Sequence, residues 1–208
     1  MANFSLRRGL DIPIGGTPNQ QISKGHNPKF MAVKGTDFIG LKPKMLVSEG
    51  DLVNKGSPLF CNKDYPDVLF VSPCKGRVHA INRGEKRALL SVVIKVENLE
   101  AKSPNFLTQN KSIKPKKEFI KKCLFDSGLW TSFLTRPYSK IPNPDSEPSS
   151  IFITAVDTEP LSPDADIVIE DSFEAFREGV KKIAQLTNGK VFVCSKDDNK
   201  LKLEECEV

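Results

Sequence analysis

Histidine and paired cysteine are scarce in this 208-residue chain. The only histidines are His26 and His79, and no two of the five cysteines are close enough to form a C-x-x-C pair. Structural zinc sites need a cluster of Cys and His ligands, and a disulfide framework needs an even set of cysteines. The sequence therefore predicts no metal site and free thiols, which most often behave as small buried hydrophobes.

Long apolar runs and basic–aromatic stripes are missing as well. No segment approaches the roughly 18 apolar residues of a membrane-spanning helix, and "MANFSLRRGL" has no apolar stretch after its arginines. The net charge is only +5, and the lysine-rich run at residues 110–122 contains a single aromatic side chain. Nucleic-acid binding needs a basic face with interleaved aromatics. We expect a cytosolic protein that binds no nucleic acid.

No phosphate-binding glycine motif follows the apolar strand "SIFITAV" (150–156). The next residues, "DTEPLSPDAD", contain no glycine and are acidic, so they would repel a pyrophosphate. "GTPNQQISKG" lacks the spacing and the ending of a P-loop. Asp157 and Glu159 are the candidate acid–base pair at the end of this strand. Because no nucleophile or histidine accompanies them, the sequence favours turn and capping roles.

Residues 1–100 are typical of a small β domain with an N-terminal arm. Short runs rich in Val, Ile, Leu and Phe alternate with Gly, Pro, Asn and Asp about every ten residues, which predicts a sandwich or barrel. Turns are expected at Gly50, Gly56 and Gly76. The predicted strands cover residues 30–35, 44–50, 57–61, 68–72, 76–82 and 89–97.

The second half changes to a helical period and then to an α/β pattern. Residues 101–116 are predicted to be a linker and residues 117–208 a partial Rossmann-like α/β domain. Its first helix is expected to stop near Gly128. A strand at 150–156, fully apolar as in a buried parallel sheet, leads to a helix at 172–189 capped by Ser172 and a strand at 190–195. Residues 165–171 are expected to form a strand or a sheet edge.

Two phrases in the β domain are typical of biotinyl/lipoyl carrier domains. "EGDLVNKGSPL" and "SPCKGRV" match the two halves of the sheet sandwich that presents a modified lysine on a tight hairpin. Here the corresponding bend is "CNKDYPD", and Lys63 is its only lysine. This bend is too long for the tight hairpin of a carrier domain, and the residues on either side of Lys63 are Asn62 and Asp64. The sequence therefore favours an unmodified surface lysine at position 63.

The segment "LWTSFLTRPYSK" (129–140) holds the most concentrated candidate site. It combines the single tryptophan, Trp130, with Arg136, Tyr138 and Lys140. Aromatic rings beside a fixed cation suit a planar ring with carbonyl groups, or an anchor in a protein interface. The alternative is an aromatic patch of the core beneath a long loop.

Several long phrases together resemble the A subunit of the sodium-translocating NADH:quinone reductases of bacteria. They are "RGLDIPIGGTPNQ", "KPKMLVSEGDLVNKG", "FVSPCKGRVHAINRGEKRALLSVVI", "DSGLWTSFLTRPYSKIP" and "IFITAVDTEPL", collinear over nearly the whole chain. The resemblance implies a barrel-sandwich hybrid followed by a truncated α/β domain, since family members are roughly twice this long. We therefore expect an N-terminal fragment.

The resemblance also implies a function. Such a subunit lies on the cytoplasmic face of the inner membrane, in a six-subunit complex that oxidises NADH, reduces ubiquinone to ubiquinol and exports Na+. Flavins and iron–sulfur centres belong to other subunits, and the α/β domain resembles the flavin-binding subunit of complex I without a usable flavin site. We expect this chain to bind no redox cofactor and to contribute a quinone neighbourhood formed by Trp130, Arg136, Tyr138 and Lys140.

Three other functions remain open from the residues alone. The chain could be a carrier with covalent biotin or lipoyl on Lys63, which an intact mass above the sequence mass would reveal. It could be a nucleotide-dependent enzyme, which titration of the isolated protein with NADH would test. It could also be a plain interaction module without a ligand of its own.

Overall fold

The structure, a computed structural model, describes residues 14–106 and 116–195 in two compact units. The described part of residues 25–148 forms the first unit, and residues 14–24 join residues 149–195 in the second. The start of the predicted arm, most of the predicted linker and Cys206 lie outside the described residues. The division into domains at residues 101–116 stays a prediction.

The first unit contains seven antiparallel strands in two sheets, among the residues described. The strands are β1 (Phe30–Lys34), β2 (Pro43–Met45), β3 (Leu52–Val53), β4 (Pro58–Asn62), β5 (Leu69–Val71), β6 (Lys75–Arg83) and β7 (Leu89–Asn98). One sheet has the strand order β1-β7-β6-β3, and the other has the order β2-β4-β5. Six of these strands overlap the predicted ones, whereas β3 lies between the turns at Gly50 and Gly56, where the sequence predicts no strand. Strand β3 pairs with β6 and β4 pairs with β5, so the two carrier-like phrases lie side by side.

The core of this unit is aromatic at its centre. Phe70 stacks on Phe60 with ring centroids 4.5 Å apart and receives the edge of Phe38 at 4.7 Å. These offset and edge-on geometries are the ones that aromatic quadrupoles favour. Aliphatic side chains from both sheets complete the core: Leu59, Val68, Val78, Val92 and Ile94 are fully buried.

The predicted turn glycines divide into two kinds. Gly50 and Gly56 have φ of 92° and 86°, which only glycine adopts without strain, and both lie in turns as predicted. The prediction for Gly76 is wrong, because this residue lies inside β6. Its missing side chain serves a close approach instead: a Cβ at Gly76 would collide with the carbonyl oxygen of Lys95 on β7.

Helix α1 (Lys116–Asp126) follows the β-strands and confirms the predicted helical period. Its buried residues are Ile120, Cys123 and Phe125. Gly128 ends the helix in the left-handed region, with φ of 74°, as the sequence predicts. A single 3₁₀ turn at Leu129–Ser132 follows. The ring of Phe125 belongs to the buried cluster of the β domain, so this helix packs on the sandwich.

The second unit is a small parallel α/β arrangement. Strands β8 (Ser150–Thr154) and β9 (Lys190–Cys194) pair in parallel, and helices α2 (Ala165–Glu170) and α3 (Phe173–Ile183) lie between them in the chain. The predicted strand–helix–strand order is confirmed. Within the described part of the chain, no helix is long and apolar enough to cross a membrane.

Three details of the second unit correct the sequence analysis. Residues 165–170 are helical rather than extended, because the side chain of Asp164 accepts the amide of Asp166 and caps a helix there. Ser172 precedes α3 but makes no side-chain cap. Strand β8 is not buried on both faces: Phe152 is 65% exposed and stacks on Phe192 of β9 at 5.0 Å.

None of the cysteines that the structure describes forms a disulfide. Cys61, Cys74 and Cys123 are buried, whereas Cys194 is exposed. Burial raises the pKa of the Cys74 thiol above its usual value, and this keeps it in the unreactive neutral form. Among the described residues no three His, Cys, Asp or Glu side chains form a group that could hold a metal ion.

Candidate functional site

Trp130, the first residue of the predicted quinone neighbourhood, is part of the core. Only 6% of its surface is exposed, and its ring lies 4.8 Å from Phe125 and 5.5 Å from Phe133. The indole N–H donates a hydrogen bond of 3.1 Å to the carbonyl of Pro142. Trp130 therefore does not reach the surface, and the role it can have is to support the loop that follows it.

That loop, residues 135–140, is closed by three hydrogen bonds. The amide of Thr135 donates to the carbonyl of Lys140 at 2.8 Å, and the Thr135 hydroxyl donates to the same oxygen at 3.0 Å. The amide of Ser139 donates back to the carbonyl of Thr135 at 2.8 Å. The Arg136–Pro137 peptide bond is cis. We call this closed turn the Thr135–Lys140 loop.

The loop brings the other three predicted residues together on one exposed turn. Arg136, Tyr138 and Lys140 are all exposed, and Tyr138 is 72% accessible. None of the three forms an ion pair with the residues that the structure describes. Leu134, directly before the loop, is 58% exposed. The turn therefore offers two cations, a phenol and an apolar side chain.

Helix α1 fixes the segment that returns from the loop. Lys121 donates to the carbonyl of Pro144 at 3.1 Å, and Lys117 forms an ion pair of 2.7 Å with Glu147. The hydrogen bond from Lys117, and then its charge, lowers the pKa of the Glu147 carboxyl. Two lysines of the run at residues 110–122 therefore make contacts within the first unit.

The carrier-like bend carries Lys63 in a long loop rather than a tight hairpin. Six residues, 63–68, separate strands β4 and β5. The amide of Lys63 donates to the carbonyl of Lys42 at 2.7 Å, and Lys42 forms an ion pair of 3.0 Å with Asp64. The side chain of Lys63 is exposed. This geometry supports the interpretation of Lys63 as a surface residue of the turn.

The second unit contains a cavity of about 310 Å³ beyond the carboxyl end of β8. Most of residues 14–20 and all of residues 157–164 line it, and their carboxylates are Asp157, Glu159 and Asp164. Among the residues that the structure describes, no lysine or arginine lines this cavity. A cavity at this place in an open α/β sheet is where nucleotides bind, but an acidic lining opposes a phosphate. The geometry thus agrees with the absent glycine motif.

Asp157 and Glu159 have backbone roles in the turn that follows β8. The Asp157 carboxylate accepts the amide of Glu159 at 2.9 Å, and the carbonyl of Glu159 accepts the amide of Ser162 at 3.2 Å. Both side chains are exposed. The turn role that the sequence favours is confirmed for Asp157.

Sequence reasoning missed what supports the candidate site. Pro142 supplies the acceptor for Trp130, and Phe125 supplies the neighbouring ring. The order of Phe125 at the end of the helix, Gly128 at its stop and Trp130 just beyond is the signal in the sequence that the two rings could pack across the turn. The bond to Pro142 crosses 12 positions of irregular chain, and no sequence pattern marks it.

Two family models match this chain. The NqrA N-terminal barrel-sandwich hybrid domain matches residues 4–97, and the NqrA second alpha/beta domain matches residues 115–208. The β sandwich and the parallel α/β unit described above agree with these two folds in type and order. The predicted fold class is therefore confirmed.

Curated relatives carry one name. Proteins named as the A subunit of Na(+)-translocating NADH-quinone reductase are similar to this chain in Psychromonas ingrahamii (44% identity; 99% of this chain, 46% of the relative) and Saccharophagus degradans (47%; 93% and 43%). The chain spans less than half the length of these relatives. From both matched domains and this agreement among relatives, the chain belongs to the NqrA family, the A subunits of Na(+)-translocating NADH-quinone reductases.

Proposed function

We propose that this chain is part of a peripheral subunit, on the cytoplasmic face of the bacterial inner membrane, of a six-subunit complex that oxidises NADH, reduces ubiquinone and exports Na+. The name of its relatives supports the reaction and the membership of a complex. The flavins and iron–sulfur centres lie in other subunits in this proposal. The glycine-free, acidic turn after β8 supports that assignment, because it gives a flavin or dinucleotide phosphate no favourable contact.

The contribution of this chain is to the quinone site and to assembly of the complex. The single observation that carries this proposal is the Thr135–Lys140 loop, which exposes Arg136, Tyr138 and Lys140 without ion-pair partners among the described residues, on a turn closed by hydrogen bonds. Buried Trp130 anchors the segment that leads into this loop. A ligand-binding group is most effective when its position is fixed before the ligand arrives.

The chemistry of a quinone fits these side chains. As a quinone accepts electrons, negative charge develops on its carbonyl oxygens, and a positioned cation such as Arg136 or Lys140 stabilises that charge. The phenol of Tyr138 can donate a hydrogen bond, and its ring can pack on the quinone ring. The loop is exposed, so partner subunits supply the apolar enclosure that a small-molecule site requires.

The test is Arg136→Ala in the complete complex. The loss of a charged hydrogen-bond donor costs about 1.5–3 kcal/mol, so the apparent KM for quinone is expected to rise roughly 10–100-fold. Arg136→Lys keeps the charge and is expected to recover part of this loss. Lys95→Ala, which removes an exposed cation of the same unit on strand β7 of the other sheet, serves as the matched control and is expected to leave quinone kinetics unchanged.

Two other results would change the assignment. If the Arg136→Ala subunit is lost from the complex during purification, the loop is a docking contact and not a ligand site. If the variant assembles fully and both the quinone kinetics and the response to quinone-site inhibitors are unchanged, Arg136 has neither role. The quinone site must then be sought outside the Thr135–Lys140 loop.

A further inference from the structure

The hairpin between β6 and β7 ends in a turn that is unusually basic. Residues 83–87 read "RGEKR", and the side chains of Arg83, Lys86 and Arg87 are all exposed. No ion pair in the described part of the chain involves any of these cations or Glu85. We call residues 83–87 the basic tip.

The backbone of the basic tip is strained at its own cations. Lys86 and Arg87 have φ of 51° and 61°, and they are the two central residues of a turn closed by the amide of Ala88 on the carbonyl of Glu85 at 3.0 Å. Turns with positive φ at both central positions prefer Asn-Gly. A longer side chain in this conformation is disfavoured. Lys86 and Arg87 therefore occupy two turn positions at which Asn and Gly would be more stable.

The conformation nevertheless holds the cations at the end of the hairpin. The amide of Gly84 donates to the carbonyl of Ala88 at 2.8 Å, and the Arg83 guanidinium donates to the carbonyl of Arg87 at 3.1 Å. Leu90 lies beside them and is 41% exposed. Its Cδ2 would be 3.1 Å from a Cβ at Gly84, so Leu90 lies directly against the backbone of the basic tip.

We propose that the basic tip is a contact to the anionic phospholipid headgroups of a membrane, with Leu90 at the boundary of the headgroup layer. Lys and Arg near an anionic leaflet each add to binding, and an apolar side chain beside them inserts among the headgroups. A lipid surface fits better than a protein partner, because a stable protein interface covers about 800 Å² on each side and five residues at a turn offer much less. This inference does not depend on the quinone proposal.

The test uses the 208-residue chain and sedimentation with vesicles of phosphatidylcholine, with and without phosphatidylglycerol. Lys86→Asn with Arg87→Gly removes two cations and places the preferred pair in the turn, so the variant folds at least as well as the parent. Its partition onto the anionic vesicles is expected to fall about thirtyfold. The unaltered chain is expected to bind weakly or not at all to phosphatidylcholine alone, and raised salt is expected to weaken its binding to the anionic vesicles.

The matched control is Lys44→Gln with Lys63→Gln, which changes the net charge equally through two exposed lysines in or beside the β2-β4-β5 sheet. Its binding is expected to stay within about threefold of the unaltered chain, because charges remote from the contact are screened. Equal losses in the two variants would overturn the proposal in favour of general charge attraction. No binding of the unaltered chain to anionic vesicles would overturn the proposal outright.

Discussion

Trp130→Ala is expected to lower the free energy of unfolding of the first unit by about 3–5 kcal/mol. The indole is buried among the rings of Phe125 and Phe133, and its removal leaves a cavity in the cluster that joins helix α1 to the sandwich. The carbonyl of Pro142 also loses its donor. Chemical denaturation followed by circular dichroism measures the change.

Trp130→Phe is the matched variant. It keeps an aromatic ring in the cluster and loses the N–H bond to Pro142, so the expected cost is about 1–2 kcal/mol. A loss below about 1 kcal/mol for Trp130→Ala would contradict the core role. Trp130 would then be available to contact a ligand directly, contrary to its burial here.

Gly76→Ala is expected to destabilise the sandwich by about 3 kcal/mol or more. A Cβ at this position would meet the carbonyl oxygen of Lys95 and would lie 3.0 Å from Cγ2 of buried Ile94. Both neighbours belong to β7, which pairs with β6, so relieving this collision moves the two strands apart and weakens their pairing. The shift of the denaturation midpoint at an unchanged slope measures the effect.

Gly50→Ala separates this collision from backbone strain. Gly50 has φ of 92°, but no neighbouring atom lies within 4 Å of the position that a Cβ would take there. Only the conformational cost of about 1–2 kcal/mol therefore applies. Similar losses for the two variants would contradict the close approach at Gly76. They would restore the turn role that the sequence analysis gave to that residue.

Most of the β sandwich follows from alternation and turn chemistry. Apolar runs between turn residues predict six of the seven strands, but a strand of two residues such as Leu52–Val53 is too short for alternation to mark it. Gly76 escaped the same reasoning, because a glycine needed for positive φ and a glycine needed for close packing look alike in a sequence. The distinction depends on where β7 lies, which is a tertiary fact.

The α/β unit shows a second limit. The run "ADIVIE" is apolar and β-branched, so its composition favours a strand. The side chain of Asp164 starts a helix there, because one capping bond offsets a modest difference in propensity. Phe152 likewise looked buried from its apolar neighbours, yet its face of the sheet is exposed among the described residues.

The candidate site divides in the same way. The sequence indicates which residues carry useful chemistry, and the exposed turn does bring Arg136, Tyr138 and Lys140 together. It could not assign Trp130 to the core, because a single tryptophan beside charged residues suits a ligand site and a packed loop equally well. Only the ring contacts and the bond to Pro142 decide between them.

The most direct test of the quinone proposal is a structure of the complete complex with a bound quinone-site inhibitor. We expect the inhibitor head group to contact the Thr135–Lys140 loop, with the Arg136 guanidinium or the Tyr138 hydroxyl within hydrogen-bond distance of a ring oxygen. An inhibitor bound at a site that excludes this loop, with Arg136 still in solvent or paired to a partner protein, would contradict it.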